Sequence, residues 1–216
     1  MKSGQDTIYY MTGESRQQIV NSPAHGAFRA KGGIEVLVLS DPVDEMWVSA
    51  GAEFEGKSFQ SVAKGAVDLD ADDSDSDDTS KDEQNKAYAD LLSWLTTTLS
   101  DDVSETRLSS RLTESPACLV GDTFSMSPQL EKLYRASGQE FPKSKRALEL
   151  NPPDHPLVAA LNKAYANGDH DKLVPTAKLV YGMAVIAEGG ELEDPAEFAK
   201  LLAGSLTESF AAGSDS

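Results

Sequence analysis

Apolar positions recur at steps of three and four over the last quarter of the chain and fall into two blocks. In residues 172–188, Leu173, Ala177, Val180, Met183, Ala184 and Ala187 share one helical face. Gly189 and Gly190 follow, and glycine readily takes the left-handed conformation that ends a helix. Asp194 then caps a second block, with Pro195 at its first position and Glu197 three residues after the cap. Phe198, Leu201, Leu202 and Leu206 lie on the apolar face of that block. The pattern predicts a two-helix hairpin with more apolar surface than two helices alone can bury. Such a hairpin either completes its own domain's core or pairs with a second subunit's hairpin as a four-helix bundle. Gly182 lies inside the first helix, where it costs about 1 kcal/mol relative to alanine and permits close approach of another helix.

The first third of the chain alternates strand and helix patterns. Residues 8–11 are β-prone, and 14–31 read as helix, broken before Pro23 and ended by Gly32 and Gly33. Residues 34–39 form a nearly continuous apolar run, the pattern of a strand covered on both faces. Ser40-Asp41-Pro42 opens a short helix carrying Val43, Met46 and Trp47, and 57–63 give a third strand after Gly56. This order predicts right-handed crossovers and a small parallel sheet. No phosphate-binding glycine fingerprint follows any of the strands.

Residues 68–85 break the pattern. Between 68 and 83 there are nine acids and one lysine, close to half of the formal net charge of −17. Like charges and little apolar surface predict a solvated linker. A calcium loop is excluded, since glycine at its sixth position and glutamate at its twelfth are both missing. From residue 86, Tyr88, Leu91, Leu92, Leu95 and Leu99 form a helical stripe. Trp94 lies off that stripe and is expected to meet the neighbouring domain. Residues 103–109, 116–120 and 147–150 read as strands, and the apolar run Ala117-Cys118-Leu119-Val120 places Cys118 in the core as an inert thiol. Residues 127–137 read as a short two-faced helix, capped by Ser127, opened by Pro128 and ended by Gly138. Leu130, Leu133 and Tyr134 form its apolar side, with Met126 just before the cap. That side either faces the core or forms an exposed patch for a partner. Residues 156–167 are helical, and 210–216 read as a frayed polar tail. The fold class is a small α/β parallel-sheet subdomain (1–67), an acidic linker (68–85), an α+β domain ending in a helical hairpin (86–210), and a tail (211–216).

Composition narrows the function. With 39% hydrophobic and 25% charged residues, the 216-residue chain is globular in type. The net charge of −17 argues against nucleic acid and anionic membrane surfaces as partners. There is no run of about 20 apolar residues for a membrane span. A start lacking a signal-peptide core and the lone Cys118 are expected of a cytoplasmic protein. His25, His155 and His170 stand in no metal-binding spacing, and Ser109, Ser110 and Ser115 have no paired base. No catalytic or metal residue is therefore assigned, and the chain is not expected to be an enzyme.

Five segments carry a more specific signal. They are I-Y-Y-M-T-G-E-S (Ile8 to Ser15), G-I-E-V-L-V-L-S-D-P-V-D-E (Gly33 to Glu45), S-S-R-L-T-E-S-P-A-C-L-V (Ser109 to Val120), L-E-L-N-P-P-D-H-P-L-V (Leu148 to Val158) and A-E-G-G-E-L-E-D-P-A-E-F (Ala187 to Phe198). In this order they resemble the ninety-kilodalton heat-shock chaperones, in their bacterial form. The resemblance implies that residues up to about 67 end the family's middle domain. From about 86 it implies the C-terminal dimerisation domain, a homodimer joined through the last two helices. Leu173, Ala177, Val180, Met183, Ala184, Ala187, Phe198, Leu201 and Leu202 then belong to the dimer interface. It also implies contacts to unfolded client proteins from Met126, Leu130, Leu133 and Tyr134, and from Trp47 in the middle domain. Here the order is Asp44-Glu45-Met46-Trp47, with the aromatic one place later than in many relatives, and Pro153 is an extra proline in its motif. The family's ATP and magnesium site and its catalytic arginine belong to preceding parts, so no cofactor is expected in this chain. The expectation is a piece of a longer chaperone that dimerises and holds clients without hydrolysing ATP. Its rivals are a purely structural dimer module and an α/β enzyme with an unrecognised site in residues 7–67.

Overall fold

A computed structural model describes residues 5–31, 34–65, 78–122, 125–138, 144–151, 155–168 and 170–214. The expectations for Gly32, Gly33, residues 68–77 and Pro152-Pro153 lie outside the described residues. The chain opens with β1 (Thr7–Thr12), α1 (Arg16–Asn21), a single 3-10 turn (Pro23–His25) and α2 (Gly26–Lys31). β2 (Val36–Leu39), α3 (Pro42–Ser49), β3 (Glu53–Phe54) and β4 (Lys57–Ser61) follow. The strands lie in the order β2-β1-β4-β3, with β1 parallel to β2 and β4. The break before Pro23 falls where the pattern placed it.

Two features of this sheet depart from the sequence reading. β3 was not read as a strand; it is two residues long and pairs antiparallel with β4. Glu55 and Gly56 make the turn between them with φ of 51° and 76°, the two positive values that a tight hairpin needs. β2 is an edge strand, not one covered on both faces, and Leu37 is 43% exposed. The apolar interior of this part is formed by Met11, Ile19, Ala24, Phe28 and Val62.

The second sheet is held by helices on its apolar side. Its elements are α4 (Asp78–Thr98), β5 (Val103–Leu108), β6 (Ala117–Val120), α5 (Pro128–Ala136), β7 (Arg146–Leu150), α6 (Pro156–Ala166), α7 (His170–Ala187) and α8 (Pro195–Ser214). β7 is central, parallel to β5 and antiparallel to β6. Leu91, Leu95 and Leu99 of α4 join Leu119, Leu148, Leu150, Val158, Leu161 and the inner face of α7 in one core. α4 begins at Asp78, so the last eight residues read as linker are helical. α8 runs through Ser214, so Phe210 is helical rather than part of a frayed tail. Trp94 meets its own part of the chain instead of the first sheet. Its ring lies 5.7 Å from Tyr165 and 6.2 Å from His170, which stack on each other at 4.2 Å.

The hairpin forms as its signals predict. Gly189, at φ 77°, donates to the Ile186 carbonyl and Gly190 to that of Val185, the paired bonds of a Schellman cap. The Asp194 side chain accepts the Glu197 N–H at 2.8 Å. Gly182 is needed where it stands, because a Cβ there would fall 2.5 Å from Phe198.

A buried charge network joins the two sheets. Arg111 is 1% exposed and donates to the Val62 and Gly65 carbonyls at 2.8 and 2.6 Å. Its Nε donates to Glu149 Oε2 at 3.0 Å, and Arg107 and Ser109 donate to the same carboxylate. Ser109 is thus a structural donor. Beyond β6, Gly65 also donates to the Gly121 carbonyl at 2.9 Å and Gly121 to that of Ala63 at 3.2 Å, a parallel bridge between Lys64 and Gly121.

Candidate functional site

The carboxyl ends of β1 and β2 open on one side of α5, and a cleft of about 400 Å³ lies between them. Crevices at the carboxyl ends of parallel strands are common ligand positions. Ser127 caps α5 by accepting the Leu130 N–H at 3.2 Å, Pro128 opens it, and Gly138 at φ 78° follows its end. No residue of α5 is fully buried, and Leu133 is 47% exposed. Leu130, Leu133 and Ala136 form one wall of the cleft, and Leu39 and Pro42 face them. Thr12, Gly13, Glu14, Asp41 and Glu45 complete the opposite side.

Ion pairs hold α5 from three directions. Lys132 Nζ lies 2.8 Å from Glu14 Oε1, beyond the end of β1. Arg146 of β7 donates to Glu131 at 2.9 Å. Glu191, in the hairpin turn, lies 3.8 Å from Lys132 and 3.5 Å from Arg135. α5 therefore bridges the first sheet, the second sheet and the hairpin turn.

A small cavity of about 30 Å³ lies behind the start of α5, lined in part by Lys64, Met126, Arg146 and Glu188. Burial pushes the Glu188 carboxyl up to about 8, partly opposed by Arg146, whose Nη1 is 3.8 Å away. Burial lowers the Lys64 ammonium, with Glu45 at 3.7 Å opposing it. Glu188 Oε1 and Glu45 Oε2 have no hydrogen-bond partner among the described residues. Cys118 is fully buried beside Glu149, and burial raises its thiol well above the ordinary range.

The fold brings together some of the sequence-assigned residues and separates others. Leu130 and Leu133 line the cleft; Met126 lines the small cavity, and Tyr134 is half-buried outside the cleft lining. Trp47 lies on another face of α3. It packs edge-to-face on Phe59 at 5.2 Å and donates to Asp44 at 3.0 Å. Val43 and Met46 share that outer face and are more exposed than Trp47. Leu39, Pro42, Glu14 and Glu45 were not read as site residues. Only the quoted segments 8–15 and 33–45 gave a signal for them, without saying which element would face them.

The hairpin residues divide in the same way. Leu173, Ala177, Val180 and Ala184 are buried in this chain's own core, so their face of α7 is covered without a partner. Phe198 fills the space over Gly182. Met183 and Leu202 are exposed, as are Ile186, Leu206 and Phe210, which had no place in the assigned interface. Leu202, Leu206 and Phe210 step by four along α8, and Met183 and Ile186 by three along α7, so each set lies on one face. Among the described residues, no helix is long and apolar enough to cross a membrane, and no cluster of three metal-ligating side chains occurs.

Comparison with known proteins places these features in a family. The family model described as "Hsp90 protein" matches residues 1–216. The Chaperone protein HtpG of Rhodococcus jostii (strain RHA1) is 59% identical over 208 residues, covering 95% of this chain and 32% of that protein. The HtpG of Nocardia farcinica (strain IFM 10152) is 56% identical over 215 residues, covering 96% and 33%. The HtpG of Mycobacterium tuberculosis (strain ATCC 25618 / H37Rv) is 57% identical over 206 residues, covering 94% and 31%. The chain thus spans about a third of the length of these curated relatives.

Proposed function

We propose that this chain, which belongs to the Hsp90 protein family, is the part of a chaperone that pairs two subunits and holds apolar segments of unfolded proteins. The observation that carries the holding role is the cleft itself. α5 turns Leu130 and Leu133 toward an open space of about 400 Å³ instead of into a core. An exposed, concave apolar surface of that kind suits a ligand that presents a bulky apolar side chain. The pairing role rests on the exposed apolar residues of α7 and α8, which a second copy would cover as a four-helix bundle. Two clefts in one dimer would act on one unfolded chain together, through raised effective concentration. ATP-driven work is assigned to parts of the longer relatives outside this span, and ATP turnover by the purified chain would sink that assignment.

The test of holding is suppression of aggregation. With a heat-denatured reporter enzyme followed by light scattering, the wild-type chain is expected to delay aggregation. Leu130→Ser with Leu133→Ser is expected to lose most of that effect while helix content and molar mass stay unchanged. Full suppression by the double variant would refute the cleft as the holding site.

A further inference from the structure

The cleft beside α5 is mostly apolar and carries acids in its lining. Among the described residues its charged lining is Glu14, Asp41, Glu45 and one cation, Lys132. Lys132 is already engaged, 2.8 Å from Glu14 and 3.8 Å from Glu191. Asp41 is exposed at the start of α3, where Oδ1 accepts the Val43 N–H at 3.1 Å. Glu45 differs in being only 4% exposed. Its Oε1 lies 3.7 Å from Lys64, while Oε2 has no hydrogen-bond partner among the described residues. A buried carboxylate oxygen without a donor is an unfavourable state that an incoming donor relieves. The chain's net charge of −17 adds a field that draws cations toward these acids.

We propose that the cleft selects an extended segment in which a bulky aliphatic or aromatic side chain is flanked by arginine or lysine. The apolar side chain enters between Leu130, Leu133 and Pro42, and its cationic neighbour reaches Glu45 and Asp41. Arginine fits best, because its planar fork can donate to a carboxylate in pairs. Segments with acidic flanks are repelled, including this chain's own run of nine acids between 68 and 83. The inference rests on the client-holding reading and adds the chemistry that decides between segments.

The experiment is a fluorescence-anisotropy titration of the whole chain with three dye-labelled peptides. They share a central Leu-Phe pair and differ only in flanks of Arg, Gln or Glu. The Arg peptide is expected to bind roughly tenfold tighter than the Gln peptide, the scale of one well-placed charge contact. The Glu peptide is expected to bind more weakly than the Gln peptide. Asp41→Asn keeps the helix cap and is expected to narrow the Arg preference, as is Glu45→Gln where its melt shows a folded protein. Equal affinity for the three peptides, with binding lost in Leu133→Ser, would overturn the charge selection and leave the cleft standing. Binding of the Gln peptide unchanged by Leu133→Ser would instead overturn the cleft reading itself. An Arg preference that neither Asp41→Asn nor a folded Glu45→Gln alters would assign it to the overall field and overturn the site.

Discussion

Glu188 is a side chain at which acidity and stability are coupled. It follows the end of α7, has Arg146 at 3.8 Å from its Oε2, and keeps Oε1 without a hydrogen-bond partner among the described residues, beside a cavity of about 30 Å³. The folded protein holds its proton up to about 8, whereas the unfolded chain releases it near the ordinary glutamate value of 4.5. Between those values the native state binds one proton more than the unfolded state. Stability therefore falls as pH rises through that window, by at most about 1.4 kcal/mol per pH unit from this group. Below the window both states are protonated, and above it the penalty is complete. Glu188→Gln mimics the protonated form, so it is expected to match the wild type near pH 5 and exceed it in stability at pH 8. Urea unfolding at the two pH values measures this, and a variant less stable than wild type at pH 8 would contradict it. Arg111 presents the opposite case, a buried charge whose bonds to Glu149 and two carbonyls are all made. Such a group stabilises as part of a complete set, and removing one partner from it is strongly destabilising.

α5 shows how far a periodic pattern reaches. Ser127, Pro128, Gly138 and the apolar spacing define its ends and its two faces, and the helix forms over Pro128–Ala136 as read. What covers the apolar face is set by distant elements and is invisible to the period. Leu39 and Pro42, which face Leu130 and Leu133, are about ninety residues away in sequence. The same limit explains α7, whose regular face was assigned to a partner and packs on its own sheet. It explains β2 as well, because an apolar run does not reveal whether a strand is central or at an edge. β3 was missed because two residues carry no alternation, and its turn depends on Glu55 at positive φ. The partial exposure of α5 makes a quantitative prediction. Leu130→Ser with Leu133→Ser is expected to lower the unfolding free energy by less than about 3 kcal/mol, since core truncation costs apply only to buried side chains. Chemical denaturation gives this number, and a loss well above that would mean that the two leucines are core.

At the scale of the whole molecule, the apolar side chains on the outside of the hairpin have no cover within a single chain. Met183 and Ile186 on α7, with Leu202, Leu206 and Phe210 on α8, are exposed beyond a fully packed inner face. Exposed apolar side chains grouped on helix faces suit association, and a symmetric pair is the simplest closure. Charge opposes that closure, because each copy carries −17. Self-repulsion of this kind is long-ranged and screened by salt, while apolar burial at the bundle is short-ranged. The dimer is therefore expected to tighten when salt is raised from about 0.02 to 0.15 M, the range over which the Debye length falls most. Light scattering over a concentration series at both salts reads this directly. Val180 is unsuitable as the probe, because it is 1% exposed inside its own core and an aspartate there would unfold the chain. Ile186→Asp and Leu206→Asp place the charge on the exposed face instead, and each is expected to give folded monomers. A wild-type monomer at every concentration and both salts would refute pairing through the hairpin. The two clefts could then no longer act on one client chain, and holding would rest on a single cleft.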